Sequence, residues 1–171
     1  MTPCPGRLRR GVTAGVRALG CVCAALLAAC AAPQWEQPGA ARAEVQRRLG
    51  APTATYALDD GERLQYSQQP AGQQVHNLDF DPAGRLRRVE QVLQPRVFER
   101  IEPGGWRGAD VRRQFGPPAR IGRVGNFDGE VWTWRYEEAG FWRLLHVFMD
   151  PREDRVRDWS TADEGLPDSA H

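Results

Sequence analysis

The sequence predicts an α+β protein of two tandem units, each a short helix or helical hairpin followed by a three-stranded antiparallel meander. Three observations carry that expectation. Residues 39–52 line up with residues 105–118 at a constant offset of 66, sharing the pattern G-x4-[ED]-V-x-R-x-[LF]-G-x-P. Further on, Asp81-Pro82 and Arg85-Leu86-Arg87 echo Asp150-Pro151 and Arg155-Val156-Arg157. Two spaced matches in one order mark an internal repeat. The third observation is strict alternation in Val131-Trp132-Thr133-Trp134-Arg135-Tyr136, which is the period of a strand.

The elements follow in chain order. Ala41, Val45 and Leu49 fall at i, i+4, i+8 on one helical face, while Arg42, Gln46 and Arg47 point elsewhere. Gly50 stands where a left-handed C-cap is wanted, and Pro52 blocks continuation. Val111, Phe115, Gly116 and Pro118 repeat that arrangement. Such short helices are marginal alone and must pack on something. Strands are expected over Arg63 to Ser67, Val75 to Phe80 and Leu86 to Leu93, the last after an Asp81-Pro82-Ala83-Gly84 turn. In the second unit they are expected over Val131 to Tyr136, Phe141 to Met149 and around Val156 to Trp159, with a hairpin at Glu137 to Gly140. The units are thus bounded at 39–93 and 105–160, with a linker at 94–104 broken by Pro103-Gly104-Gly105. Residues 30–38 read as a flexible tether and 161–171 as a disordered tail.

Residues 1–29 have the layout of a secretory signal. Four arginines (Arg7, Arg9, Arg10, Arg17) and no acid precede an apolar run from Ala18 to Ala29. That run is short of the roughly 20 residues a membrane-spanning helix needs. Leu27-Ala28-Ala29-Cys30 resembles a bacterial lipobox, whose cysteine becomes the acylated first residue of the mature protein. An ordinary cleaved signal, cut at Ala29 or Ala32, is the rival reading. Cys4, Cys21 and Cys23 all precede Cys30, so processing would leave no disulfide, thiolate nucleophile or cysteine metal site. By likeness to Gram-negative lipoproteins, Ala31 after the cysteine implies sorting to the outer membrane, facing the periplasm. Four of the 23 basic residues lie in this leader, which leaves 19 arginines against 22 acids, a net charge of −3. With arginines and acids interspersed there is no basic face for phosphates, which argues against nucleic acid as a partner.

The helix ending V-x-x-x-[LF]-G-x-P, the W-x-Y strand and the acidic turn after the next strand together resemble the SmpA/OmlA (BamE-like) family of outer-membrane lipoproteins. Val111, Phe115, Gly116, Pro118, Trp134 and Tyr136 carry the likeness in the second unit. Val45, Leu49, Gly50 and Pro52 carry it in the first, where Leu64-Gln65-Tyr66 replaces W-x-Y. The resemblance implies a non-enzymatic accessory in outer-membrane β-barrel assembly or envelope integrity, with the outer membrane and possible engagement of the barrel-assembly machinery as partners. Two units stand where that family has one. Tandem units are also similar to the β-lactamase inhibitory proteins, which implies the alternative of a tethered inhibitor or sensor that grips a periplasmic enzyme.

Catalytic chemistry is thinly supplied. Ser67, Ser160 and Ser169 sit in no G-x-S-x-G elbow, and His76, His146 and His171 have no ligand-like spacing. Asp128, Glu130, Glu137 and Glu138 fall in turns or at strand ends, where solvated acids are ordinary. Neither an enzyme nor a cofactor or metal is therefore expected. Tryptophan is the remaining signal: five of six lie in the second unit. Trp132, Trp134, Tyr136 and Trp142 are the candidate partner-binding residues, with Arg135 and Arg143 as rim, unless packing between the units buries them. A ligand-binding module that uses the tryptophans as stacking platforms is a further option.

Overall fold

In the computed structural model, the described residues are Ala32 to Gly165; Cys30 and the leader lie outside them. The α+β expectation gives way. The described residues are mostly β, with eight strands in two four-stranded antiparallel meanders and only short helices among them. Strands β1 (Ala54–Leu58), β2 (Gly61–Ser67), β3 (Val75–Phe80) and β4 (Leu86–Gln91) form sheet 1. Strands β5 (Arg120–Gly122), β6 (Glu130–Glu138), β7 (Phe141–Asp150) and β8 (Arg155–Asp163) form sheet 2. The strands missing from the expectation are β1 and β5. Both are edge strands held by backbone pairing on one side, and neither presents a full apolar face to read.

Helices α1 (Arg42–Leu49) and α3 (Gly108–Phe115) lie 66 residues apart, and each ends at a glycine of positive φ, Gly50 at 79° and Gly116 at 75°. A side chain would be strained there, so glycine sets where each helix stops. The residue before each helix bridges the start of the last strand of its sheet, Ala41 to Arg85 and Arg107 to Arg155. Both Asp-Pro turns form with the aspartate side chain accepting backbone N–H groups: Asp81 from Arg85, and Asp150 from Arg152 and Glu153.

The expected linker is core. It forms the one-turn helix α2 (Pro95–Phe98), and Val97, Phe98 and Ile101 are buried. The Phe98 ring meets Tyr136 edge-on at 5.0 Å and Phe115 at 5.8 Å, so this segment plugs the space between α3 and sheet 2. The expected tether and tail also differ. Pro33–Trp35 is a 3₁₀ turn, with Glu36 buried and paired to Arg48, and β8 carries Thr161 to Asp163.

Each face of sheet 1 has a cover. Leu64, Leu78 and Phe80 pack with Val45 of α1. The opposite face carries Tyr56, Arg63, Gln65, Asn77 and Asp79; the first four meet the C-terminal turn of α3, and Asp79 holds Arg63. Asn77 Nδ2 donates to Gln114 O (2.9 Å), Gln65 Nε2 to Arg113 O (3.2 Å), and Tyr56 Oη to Arg112 O (3.3 Å). The last carbonyls of a helix lack intrahelical partners and form its negative end, so a polar sheet face suits them.

Candidate functional site

Sheet 2 has one covered face and one that no described helix covers. Residues Trp132, Trp134, Tyr136, Leu145, Val147 and Met149 point inward against α3 and α2 and are buried. Trp134 Nε1 donates to Gly116 O at 3.3 Å, and Trp132 Nε1 to Glu130 Oε2 at 2.9 Å. Three of the four aromatics expected at a binding surface, Trp132, Trp134 and Tyr136, are therefore core residues. Alternation puts them on one face but does not say which face meets solvent, and α2 supplied the apolar cover. Trp142 alone is outside, 52% exposed, beside Phe141 at 70%.

These two residues start β7, straight after the tight turn of Ala139 and Gly140, both of positive φ. Such a two-residue turn matches the strand twist and fixes the hairpin tip. Arg135 lies under Trp142, its guanidinium carbon 5.6 Å from the ring centroid. That guanidinium is itself held: Nε contacts Glu164 Oε1 at 2.7 Å, and Nη1 donates to Pro70 O and Ala71 O. Strand β5 pairs only as far as Thr133, so the backbone of Arg135 lies beyond its reach. The Gln69 side chain fills that place, donating to Arg135 O (2.7 Å) and accepting from Arg135 N (3.2 Å). Phe141, Glu164 and Gln69 were missed by sequence reasoning. Glu164 was assigned to a tail, and Gln69 lies in a loop with no periodic signal. Arg143, the other expected rim residue, pairs with Glu138 and Asp163.

His146 stands on the same outer face, as does Trp142 four residues before it. Its Nδ1 lies 3.0 Å from Thr133 Oγ1, and its pKa is pushed down by burial and by the charge of Arg120. His76 lies in sheet 1 and is buried, which lowers its pKa too. Among the described residues no group of three or more His, Cys, Asp or Glu is placed to hold a metal ion. Nor is any described helix long and apolar enough to cross a membrane.

What the geometry defines is a class: a two-sheet, mostly β scaffold with one sheet face and one aromatic hairpin tip presented outward. No protein-family model matches the chain, and no curated protein matches it. A DUF4309-family protein of Bacillus subtilis, solved by crystallography, is similar at 17% identity over 74% of this chain and 79% of that one, with a TM-score of 0.29. Similarity at that level carries no argument about function.

Proposed function

We propose that the chain is a non-enzymatic docking module, tethered to the outer membrane through acylated Cys30, that engages an envelope partner through its second sheet. One observation carries the reading. Phe141 and Trp142 are both exposed at the start of β7, on opposite faces of the strand, and Trp142 is held in place by an Arg135 that Glu164 and two carbonyls lock. An aromatic fixed before binding loses little conformational freedom on contact, which is what a hot spot needs. A tether would supply high local concentration, so a small contact would suffice.

The partner follows from the resemblance of the helix-capping motif to SmpA/OmlA lipoproteins: a barrel-insertion complex of the outer membrane. The test is co-purification from gently solubilised outer membranes, with identification of the barrel-insertion core. Wild type retains that core under this reading, and Trp142→Ala with Phe141→Ser loses it. Equal recovery with the double variant overturns the assigned surface. A soluble periplasmic enzyme recovered in its place, from the unlipidated protein as well, moves the reading to a tethered inhibitor.

A further inference from the structure

At the far end of the outer face from Trp142, the rows of paired residues leave a gap. One row across sheet 2 reads Arg120, Thr133, His146, Ser160, and the next reads Gly122, Val131, Phe148, Asp158. Gly122 contributes no side chain to its row. Loop residues Arg123 and Val124 edge the gap, and Phe127 of the same loop packs edge-on against Phe148 at 5.2 Å. The result is a cavity of about 240 Å³, lined by Arg120, Gly122, Arg123, Val124, Val131, Thr133, His146 and Phe148.

Its chemistry is one-sided. Two arginines line it and no acidic residue does, in a mature chain with more acids than bases, and the Arg120 charge reaches His146. Among the described residues neither Arg120 nor Arg123 has an ion-pair partner, although ten other arginines do. Thr133 is 4% exposed, and its hydroxyl pairs with His146. In a neutral imidazole one ring nitrogen donates and the other accepts. If Nδ1 accepts from the Thr133 hydroxyl, Nε2–H is left as a donor; if Nδ1–H donates, the hydroxyl proton is left. Either tautomer therefore keeps one donor for a ligand. Val124, Val131 and Phe148 give the cavity an apolar side. Ligand pockets run from about 300 Å³ upward for drug-sized molecules, so the occupant is small.

We infer that this cavity binds a small organic monoanion, a carboxylate carrying an apolar group, with the charge at Arg120 and Arg123 and the apolar part against Val131 and Phe148. Planar guanidinium forks match carboxylates, and an apolar wall favours a substituted acid over a hydrated inorganic anion. The site does not depend on the docking role of the hairpin tip.

Gly122 makes the test clean. A Cβ built there meets nothing within 4 Å, and its φ lies outside the left-handed region, so a side chain is tolerated. The probe is 3-phenylpropanoate, titrated by calorimetry and by ¹H–¹⁵N shift mapping, with 3-phenylpropanamide and inorganic phosphate as comparators. The carboxylate binds, with shifts at Thr133, His146 and Phe148, at least tenfold more tightly than either comparator. Gly122→Leu abolishes binding while the melting temperature and far-UV spectrum hold. Arg120→Gln and Arg123→Gln each weaken it. The inference is overturned by an amide that binds as well as the acid, or by unchanged affinity in Gly122→Leu. No binding of the acid up to about 20 mM, a range that covers even the weakest specific affinities, overturns it as well.

Discussion

Removing Asp79 should be the most damaging single loss of charge in the described chain. Asp79 faces its register partner Arg63 across β3 and β2, and the pair is bidentate, at 2.6 and 3.0 Å. Their side chains are 12% and 9% exposed. In Asp79→Ala the guanidinium stays buried with only Arg113 O and Gln114 Oε1, both at 3.3 Å. Stripping one partner from a buried pair costs about 3–5 kcal/mol, because the other charge is left uncompensated. Domains are stable by about 5–15 kcal/mol, so about a fifth or more of the total would go. The control is Arg88→Ala, which removes a second contact to Asp79 (2.8 Å) from a side chain 51% exposed. Discounted for solvent, that contact should be worth under about 1 kcal/mol. The measurement is urea unfolding followed by tryptophan fluorescence, with the m-value unchanged. A loss below about 1 kcal/mol in Asp79→Ala, equal to that of Arg88→Ala, would refute the claim that the polar face of sheet 1 is a buried, matched seat for α3. Acid gives a second readout. Burial raises the Asp79 pKa, but hydrogen bonds from Arg63 and Arg88 outweigh it and leave it below the usual 3.8. The carboxylate's contribution is therefore full above that value and lost as pH falls through the native pKa, where the variant and wild-type curves should converge.

Other outcomes follow from the same contacts. Phe98→Ala empties the space between Tyr136 and Phe115 and should cost about 3–5 kcal/mol by urea unfolding, although residues 94–104 read as a linker in sequence. Trp142→Ala should change stability by less than about 0.5 kcal/mol while removing partner binding, since its ring is half exposed. Burial lowers the native pKa of His76, and burial with Arg120 lowers that of His146, so the unfolded chain binds more protons below its ordinary value of 6.5. Stability should then fall as pH drops below that value, and His76→Gln should flatten the slope measured by denaturation at stepped pH. A bound carboxylate offsets the Arg120 charge beside His146, whose other facing groups are Thr133, Arg123 and Ser160. Affinity for 3-phenylpropanoate should accordingly rise as pH falls through the imidazole range, with proton uptake seen by calorimetry in two buffers.

The sequence carried the local punctuation well. Glycine followed by proline marked both helix ends, and Asp-Pro marked both turns, because positive φ and blocked amides are properties of single residues. The long strands β6 and β7 were legible from alternation and apolar run. Edge strands were not: β5 is three residues long and two of them are exposed, so nothing in its side chains announces a sheet. Segment 94–104 misled for the opposite reason. Pro95, Pro103 and two glycines read as a break, while Val97, Phe98 and Ile101 between them are core. Of the residues at the exposed hairpin tip, the sequence reading named Trp142 and Arg135. Inside and outside are set by what lands on a strand, and α2 lands on the Trp134 face through contacts distant in sequence.

The repeat relates the helix-covered second face of sheet 1 to the face of sheet 2 that no described helix covers. The Leu64–Leu78 pair beneath α1 occupies the place that Trp134–Leu145 occupies beneath α3. One step along, Arg63–Asp79 in sheet 1 corresponds to Thr133–His146 in sheet 2. In sheet 1 that second face receives the helix of the following unit, and its side chains are spent on the carbonyls of Arg112 to Gln114. The equivalent face of sheet 2 receives no helix among the described residues. The polar groups that would have met a helix end instead line a cavity, and the hairpin beyond them ends in Phe141 and Trp142. The surface proposed to bind is thus the one that the described helices leave uncovered.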